Sequence, residues 1–421
     1  MTIPREVVRK LVDAYFVCVY ALSTGAFVSF FVEFDTGADN SAGSPVFKVI
    51  WCLVYLITMS RLITRRNELA TVCRANKPLI SIVVLSLASV VWSIDRFATL
   101  HLAATLAFTT LIALDLSTTY SIKRQLELLC QAFILLLALS VIAEVFFPGL
   151  VPVRVSEEGA WHGVFAFKNN FGRIICLTVV ACLSLIDRKP YIKILVLLGG
   201  ITLGVLSKSV GSVGYTILLV GSVFLWPLLK WRPKPRAFAI VALSIPILLT
   251  VFYVSQHFTR VLAMADKDPH MTGRVDIWQL AISDIRAKPL LGYGYSAFWT
   301  YGSQPARRIR EEINWDDAPH AHNGYIDFAL SLGTLGIVTY FLAYIIVVRN
   351  AFRFFLDGTE SYRKWPLSYL VFVLLYQCTE SGIVGGNTFL WIVFASLAFS
   401  LSLIKEQSVI ETAPTMITMA A

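Results

Sequence analysis

The residues best able to do chemistry lie in one short run, Asp316-Asp317-Ala318-Pro319-His320-Ala321-His322-Asn323, directly ahead of an apolar stretch. Imidazole ordinarily changes charge near neutral pH, so a neutral His322 beside Asn323 is suited to take a proton from a hydroxyl. Two His and two Asp also invite a metal reading. Spacing of i, i+2 with no third His or Cys nearby argues against it, and no metal or cofactor is expected. On a rim leading into a helix, side chains at i and i+2 point about 200° apart, so His320 and His322 are expected to diverge.

Upstream, the run from Thr272 and Gly273 through Arg274 to Trp278 reads as a helix start. Thr272 is the expected N-cap, Val275, Trp278, Ile282 and Ile285 the apolar stripe, and Pro289 the stop. Arg274 then stands at the N-terminal end of a surface helix with Trp278 at the membrane interface; capping or snorkelling is its bland alternative. The run Pro289-Leu-Leu-Gly-Tyr-Gly-Tyr-Ser296 follows no strand and lacks the Lys of a nucleotide loop, so it reads as a turn. Beside it, Tyr293, Tyr295, Phe298, Trp299 and Tyr301 suit either a sugar groove or the headgroup layer. Lys208, in Ser207-Lys208-Ser209, is a costly cation between apolar segments, either functional or snorkelling. The run from Trp161 to Gly172 is expected to bring His162, Lys168 and Asn169 to one face.

These groups need a scaffold, and composition names it. The chain has 421 residues, 57% hydrophobic and 15% charged, where soluble chains carry about 25% charged residues. Apolar runs long enough to cross about 30 Å of hydrocarbon recur near 14–32, 46–63, 78–93, 98–116, 126–147, 171–187, 192–206, 211–229, 237–256, 323–348, 366–380 and 387–404. Unpaired backbone is not tolerated in lipid and the runs do not alternate, so the expected fold is all-α: a single polytopic membrane bundle of about twelve helices over residues 1–421. Every second connection is basic: Arg5, Arg9 and Lys10; Arg61, Arg65, Arg66, Arg74 and Lys77; Lys123 and Arg124; Arg188, Lys189 and Lys193; Lys230, Arg232, Lys234 and Arg236; Arg349, Arg353, Arg363 and Lys364. The positive-inside rule places these, and both termini, in the cytoplasm of a cell inner membrane.

The distribution also explains the net charge of +9 without nucleic acid. The other connections lie outside, where 257–322 is the one long loop, with short helices of its own. Its eight basic and eight acidic residues balance, which argues against a general polyanion patch. All seven cysteines fall in spans or in the 61–77 connection, so no outer disulfide is expected. The first span reads as a retained anchor.

At these residues the chain resembles the O-antigen ligase and polysaccharide polymerase family, and in particular exopolysaccharide polymerases of the ExoQ type. His322-Asn323, nine residues and then Gly333-Thr-Leu-Gly336 match the family's ligase motif, although Ile337 and Val338 stand where two Thr are usual. Gly273, Arg274 and Trp278, the 289–294 run, the Lys-Asn-x-x-Gly of 168–172 and Trp92-Ser-Ile-Asp95 also look like family features. The resemblance implies a GT-C-like fold in which an Arg of a Ser-Arg motif and an Arg of the long loop hold a lipid-linked pyrophosphate while His activates the acceptor. Carried over, Arg274 and His322 match by type, and Lys208 occupies the Ser-Arg position with the charge but not the fork.

The reading that follows is a periplasmic-face glycosyltransferase that polymerises oligosaccharide repeats carried on polyprenyl pyrophosphate. His322, Arg274 and Lys208 are its catalytic candidates, and Lys168, Asn169, Trp278, Asn323 and His320 its substrate-binding ones. Membrane lipid, a flippase and a chain-length copolymerase are the expected partners. Ligation to lipid A core is the alternative. A transporter or flippase is disfavoured because internal repeats are not evident and intramembrane acids are few: Glu144, Asp327, Asp115 and Glu380. A hydrolase built on His320, His322 and Asp317 is the third class.

Overall fold

The computed structural model describes residues 4–28, 44–63, 65–150, 159–187, 189–230, 274–315 and 318–412. These residues form helices and no strand. In chain order they are α1 (Arg5–Ser23), α2 (Pro45–Ile63), α3 (Arg66–Ala75), α4 (Lys77–Ala88), α5 (Arg96–Thr119), α6 (Ile122–Phe146), α7 (Lys168–Leu185), α8 (Pro190–Leu206), α9 (Val210–Leu225), α10 (Arg274–Ala287), α11 (Gln304–Glu312), α12 (Gly324–Leu356), α13 (Trp365–Tyr376) and α14 (Phe389–Thr412). The starts follow capping chemistry. Asp95, Ser121, Ser303 and Asn323 accept first-turn N–H groups of α5, α6, α11 and α12.

By length and composition, Pro45–Ile63, Arg96–Thr119, Ile122–Phe146, Gly211–Lys230 and Gly324–Leu356 are each able to cross a membrane. The pair Leu69–Ala75 and Lys77–Val91, bent by 94°, makes a sixth if it is one broken span. Among the described residues the measure therefore gives five or six spans rather than about twelve. Pro190–Leu206 and Phe389–Ile404 are apolar but shorter. Every expected span within the described residues nevertheless falls on a helix; that at 237–256 lies outside them, as do Thr272, Gly273, Asp316 and Asp317. The first helix sits earlier than its apolar run suggests. It ends at Ser23, and the chain turns at Thr24 and Gly25 until Phe27, at φ 64°, donates its N–H to Val164 O at 2.7 Å.

The bundle packs α7 against α8 and α9, α14 against α5, and α12 against α4. Trp365, Tyr369 and Trp391 fill the interior, where the Trp391 indole N–H reaches Thr110 Oγ1 at 2.8 Å and the Tyr369 hydroxyl reaches Leu390 O at 2.5 Å. At one end the fully buried Asp115 holds Arg61 at 2.6 Å and Arg65 at 3.8 Å, and Arg124 pairs with Asp13 at 2.7 Å. Arg61, Arg65 and Arg124 of the basic connections thus gather at the end where α2 and α5 finish. The candidate site lies where α5, α7 and α12 begin.

Candidate functional site

A break in α12 organises the site. Gly333 adopts φ 62° and ψ −162° within an otherwise helical run, a combination open essentially only to glycine. The break frees backbone groups on either side of it, and the 289–294 turn takes them up. Tyr293 N–H donates to Leu330 O at 2.8 Å and Gly294 N–H to Ser331 O at 3.0 Å, while Thr334 N–H reaches Pro289 O at 2.8 Å. The two backbones are so close that a Cβ at Gly333 would lie 2.3 Å from Leu290 C, and one at Gly292 2.5 Å from Leu330 O. From the other side, Ile94 N–H donates to Tyr293 O at 3.0 Å and the Trp92 indole to Leu291 O at 3.0 Å. Three of the sequence motifs are therefore one backbone-bonded frame.

The frame carries α10 and the turn before α12. On α10 the buried face is Ile277, Ala281 and Asp284, with Trp278 half-buried and Ile282 40% exposed. The expected stripe of Val275, Trp278, Ile282 and Ile285 is thus rotated, because the helix packs on the loop's own core, with Trp278 and Ile285 at the edge of the contact. The Trp278 indole donates to Ala321 O at 2.7 Å and so clamps the His turn. Asp327 grips the same turn: its Oδ1 accepts Ala321 N–H at 3.0 Å and the Trp299 indole at 2.7 Å, and its Oδ2 accepts the Ser381 hydroxyl. Asn323 caps α12, its Oδ1 accepting from Tyr325 N–H at 3.1 Å and Ile326 N–H at 3.2 Å.

At His322 the backbone turns left-handed, with φ 50°. This overturns the expected divergence of the two imidazoles: their ring centroids are 4.1 Å apart, because the turn is not helical there. His320 Nδ1 accepts the His322 N–H at 3.0 Å, and Trp315 stacks on His322 at 5.7 Å. Both His322 ring nitrogens are shielded from solvent without a hydrogen-bond partner. Nδ1 lies 3.5 Å from Glu380 Oε2, an electrostatic contact longer than a good hydrogen bond.

Glu380 is the residue that joins the site. Its Oε1 meets Arg274 Nη2 at 3.3 Å and the Asn169 amide at 3.3 Å. Arg274 Nη1 also donates to Thr379 O at 2.8 Å, and Ser209 Oγ donates to Asn169 Oδ1 at 3.0 Å. Glu380 thus faces the Arg274 guanidinium and the His322 imidazole at once. Burial, with His322 alongside, pushes the His320 imidazole down to about 4. The sequence offered Glu380 only as one of a few acids at span ends; its partners come from three other segments, which no local spacing reveals.

His322, Arg274, Asn169, Asn323, Trp278 and His320 thus converge. Lys168 opens α7 one residue before Asn169. Lys208 is adjacent in sequence to Ser209, is exposed, and has φ 48°; its ammonium is so near Gly159 that a Cβ there would lie 3.0 Å from Nζ. His162 departs from the expected face: it is buried, with Nδ1 2.9 Å from Phe165 O, because Glu144 takes the His162 and Gly163 N–H groups at 2.9 and 2.8 Å and turns the chain inward. Of the aromatic cluster, Tyr293 and Phe298 are buried and Tyr301 is 74% exposed. Tyr295 and Trp299 line a cavity of about 230 Å³ that also touches His320, Asp327 and Gln377. The third metal donor that the sequence lacked is present, since donor atoms of His320, His322 and Glu380 lie within 4.8 Å of one another.

Comparison with known proteins falls on these residues. A family model described as O-antigen ligase matches residues 194–341, the stretch that holds Lys208, Arg274, Trp278, both histidines and Gly333. The chain is also 28% identical over 137 residues to the exopolysaccharide production protein ExoQ of Rhizobium meliloti strain 1021. That match covers 31% of this chain and 32% of the relative, so the chain spans about a third of the relative's length. The resemblance to O-antigen ligases and ExoQ-like proteins is borne out over this part of the chain; the chain is a multi-pass membrane protein whose described residues form helices and no strand.

Proposed function

We propose that this chain is a membrane glycosyltransferase that moves an oligosaccharide from a polyprenyl diphosphate carrier onto the hydroxyl of another lipid-linked repeat, and so polymerises exopolysaccharide. The observation that carries the reading is a half-buried His322, its two ring nitrogens shielded from solvent with no hydrogen-bond partner, beside a carboxylate that also holds Arg274. The proposal includes the topology: one domain of about twelve spans with a GT-C-like arrangement in the inner membrane, termini in the cytoplasm and the 257–322 loop outside. Outside the membrane neither ATP nor nucleotide sugars are at hand, so the donor must carry its own leaving group, and a diphosphate is one.

In this mechanism a proton on Nδ1 of His322 faces Glu380, leaving the Nε2 lone pair for the acceptor hydroxyl. As the hydroxyl oxygen bonds to the anomeric carbon, its proton passes to Nε2 and the bond from that carbon to the phosphate oxygen breaks. The anomeric centre inverts, and polyprenyl diphosphate departs. Glu380 stabilises the imidazolium, while Arg274 and Lys208 offset the charge on the departing diphosphate. Trp278, Asn323 and His320 hold the turn through the hydrogen bonds described above, and Lys168 and Asn169 face the donor. Membrane lipid surrounds the bundle, and a flippase and a copolymerase supply and limit the chain.

Ligation to lipid A core is the second reading, favoured by the family match; Ile337 and Val338 after Gly336 favour polymerisation. The polysaccharide profile of a deletion strain separates them. Loss of high-mass polymer with single repeats retained on lipid is the expected result. Intact polymer left on its carrier means ligation, and an unchanged profile overturns both.

A further inference from the structure

Six buried side-chain polar atoms among the described residues have no hydrogen-bond partner, and three of them belong to His322 and Arg173. Arg173 lies in α7, one residue beyond the Lys-Asn-x-x-Gly motif and one turn deeper than Asn169. A cation at such a depth is costly and calls for a counter-charge. Among the described residues Arg173 has none. Its Nη1 donates to the Tyr376 hydroxyl at 3.0 Å, its guanidinium stands 5.5 Å from the Tyr376 ring and 5.1 Å from the Phe389 ring, and Nε is unpartnered. The side chain is half-buried, not sealed off.

Its position is tied to the site by two rungs between α7 and the end of α13. The upper rung is Asn169 to Glu380, and the lower is Arg173 to Tyr376. Tyr376 and Glu380 are themselves linked, Glu380 N–H donating to Tyr376 O at 2.9 Å. One helical turn is about 5.4 Å, so Arg173 sits that far below the level at which Arg274 meets Glu380. Of the two phosphates in a polyprenyl diphosphate, the one esterified to the lipid must face the bundle and the apolar tail.

We infer that Arg173 is a donor-binding residue that contacts the lipid-side phosphate, the counter-charge it lacks being supplied by the ligand. Arg274 and Lys208 then face the sugar-side phosphate at the rim. This rests on the donor assigned under Proposed function. The two aromatic rings fix the guanidinium without neutralising it, which suits a group that must be in place before an anion arrives.

The inference makes the two arginines distinguishable by ligand. With purified full-length protein, the binding of farnesyl phosphate and farnesyl diphosphate is measured alongside ligand-free thermal unfolding. Arg173→Met is expected to weaken both ligands by roughly 10- to 100-fold, the scale of a lost charge-assisted hydrogen bond. It should leave the ligand-free protein as heat-stable as before or more so, since an unpaired cation is removed. Arg173→Lys should recover most of the binding, and Arg274→Ala should weaken the diphosphate alone. If Arg173→Met binds both ligands normally while Arg274→Ala loses the diphosphate, the inference fails and the donor reading stands. Normal binding with lowered heat stability makes Arg173 a brace for α13 and α14, and also overturns it, as does a Lys variant that recovers nothing. If the unaltered protein binds neither ligand, the donor reading falls and this inference with it.

Discussion

Two neighbouring regions of the molecule handle their polar groups in opposite ways. Around Gly333 the carbonyls of Leu330 and Ser331 and the N–H groups of Thr334 and Leu335 are taken up by Tyr293, Gly294, Pro289 and Leu290, and the Trp92–Asp95 segment closes the other side. Around His322, a few residues away in the same chain, an imidazole has no hydrogen-bond partner and one carboxylate serves an arginine, an amide and a histidine at distances of 3.3–3.5 Å. Buried polar groups are normally satisfied, so the first region is a frame and the second is where the proposed function places its substrates. The frame is where small changes should destroy the protein. The centre is where they should destroy activity and spare the fold.

The largest effect should come from breaking the frame. Gly333→Ala sets a Cβ against Leu290 in a conformation that costs about 1–3 kcal/mol for any other residue; membrane-inserted protein should fall sharply by immunoblot. At the centre, Arg274→Ala should keep normal protein levels and lose roughly 10²–10³-fold of transfer rate in membranes supplied with lipid-linked donor. Lys208→Ala should lose most activity, and Lys208→Arg should retain it. Glu380→Gln keeps the shape without the charge and should cost about tenfold, the scale of one pK unit of imidazolium stabilisation; full activity there would remove Glu380 from the mechanism.

The smallest effect joins the two regions. His320 is held at about 4 in the fold against an ordinary value of 6.5, so between these values the unfolded chain binds a proton that the folded chain does not. Stability is therefore full above about 6.5 and is lost as pH falls towards 4. His320→Gln should flatten that part of the melting-temperature profile of the detergent-solubilised protein. An identical slope in both proteins would place the sensitivity elsewhere.

Much of the frame was legible because it is written in local spacing. His322-Asn323, the glycines at 333 and 336, the 289–294 run and Trp92–Asp95 are all identified from the sequence, and for Gly333, the 289–294 run and Trp92–Asp95 the structure gives the reason as shared backbone hydrogen bonds. Each apolar run within the described residues became a helix because lipid leaves the backbone no other partner. What the sequence hid was long-range or conformational. Glu380 and Arg173 reach the site only through the packing of α7 beside α13. The two histidines meet because His322 has a positive φ, which helical periodicity cannot anticipate. The stripe on α10 is rotated because the loop core that takes Ile277 and Ala281 is built from distant residues such as Phe298 and Ile309.

The proximity of the two histidines makes the decisive measurement also the most discriminating. Transfer rates of His322→Ala and His320→Ala are compared in one membrane preparation, with and without chelator. If His322 is the general base, its loss should remove roughly 10²–10⁴-fold of the rate, while the loss of His320 should cost far less and chelation little. Equal and severe losses at both positions, with activity abolished by chelator and restored by a divalent ion, would contradict the account and make His320, His322 and Glu380 the ligands of a metal.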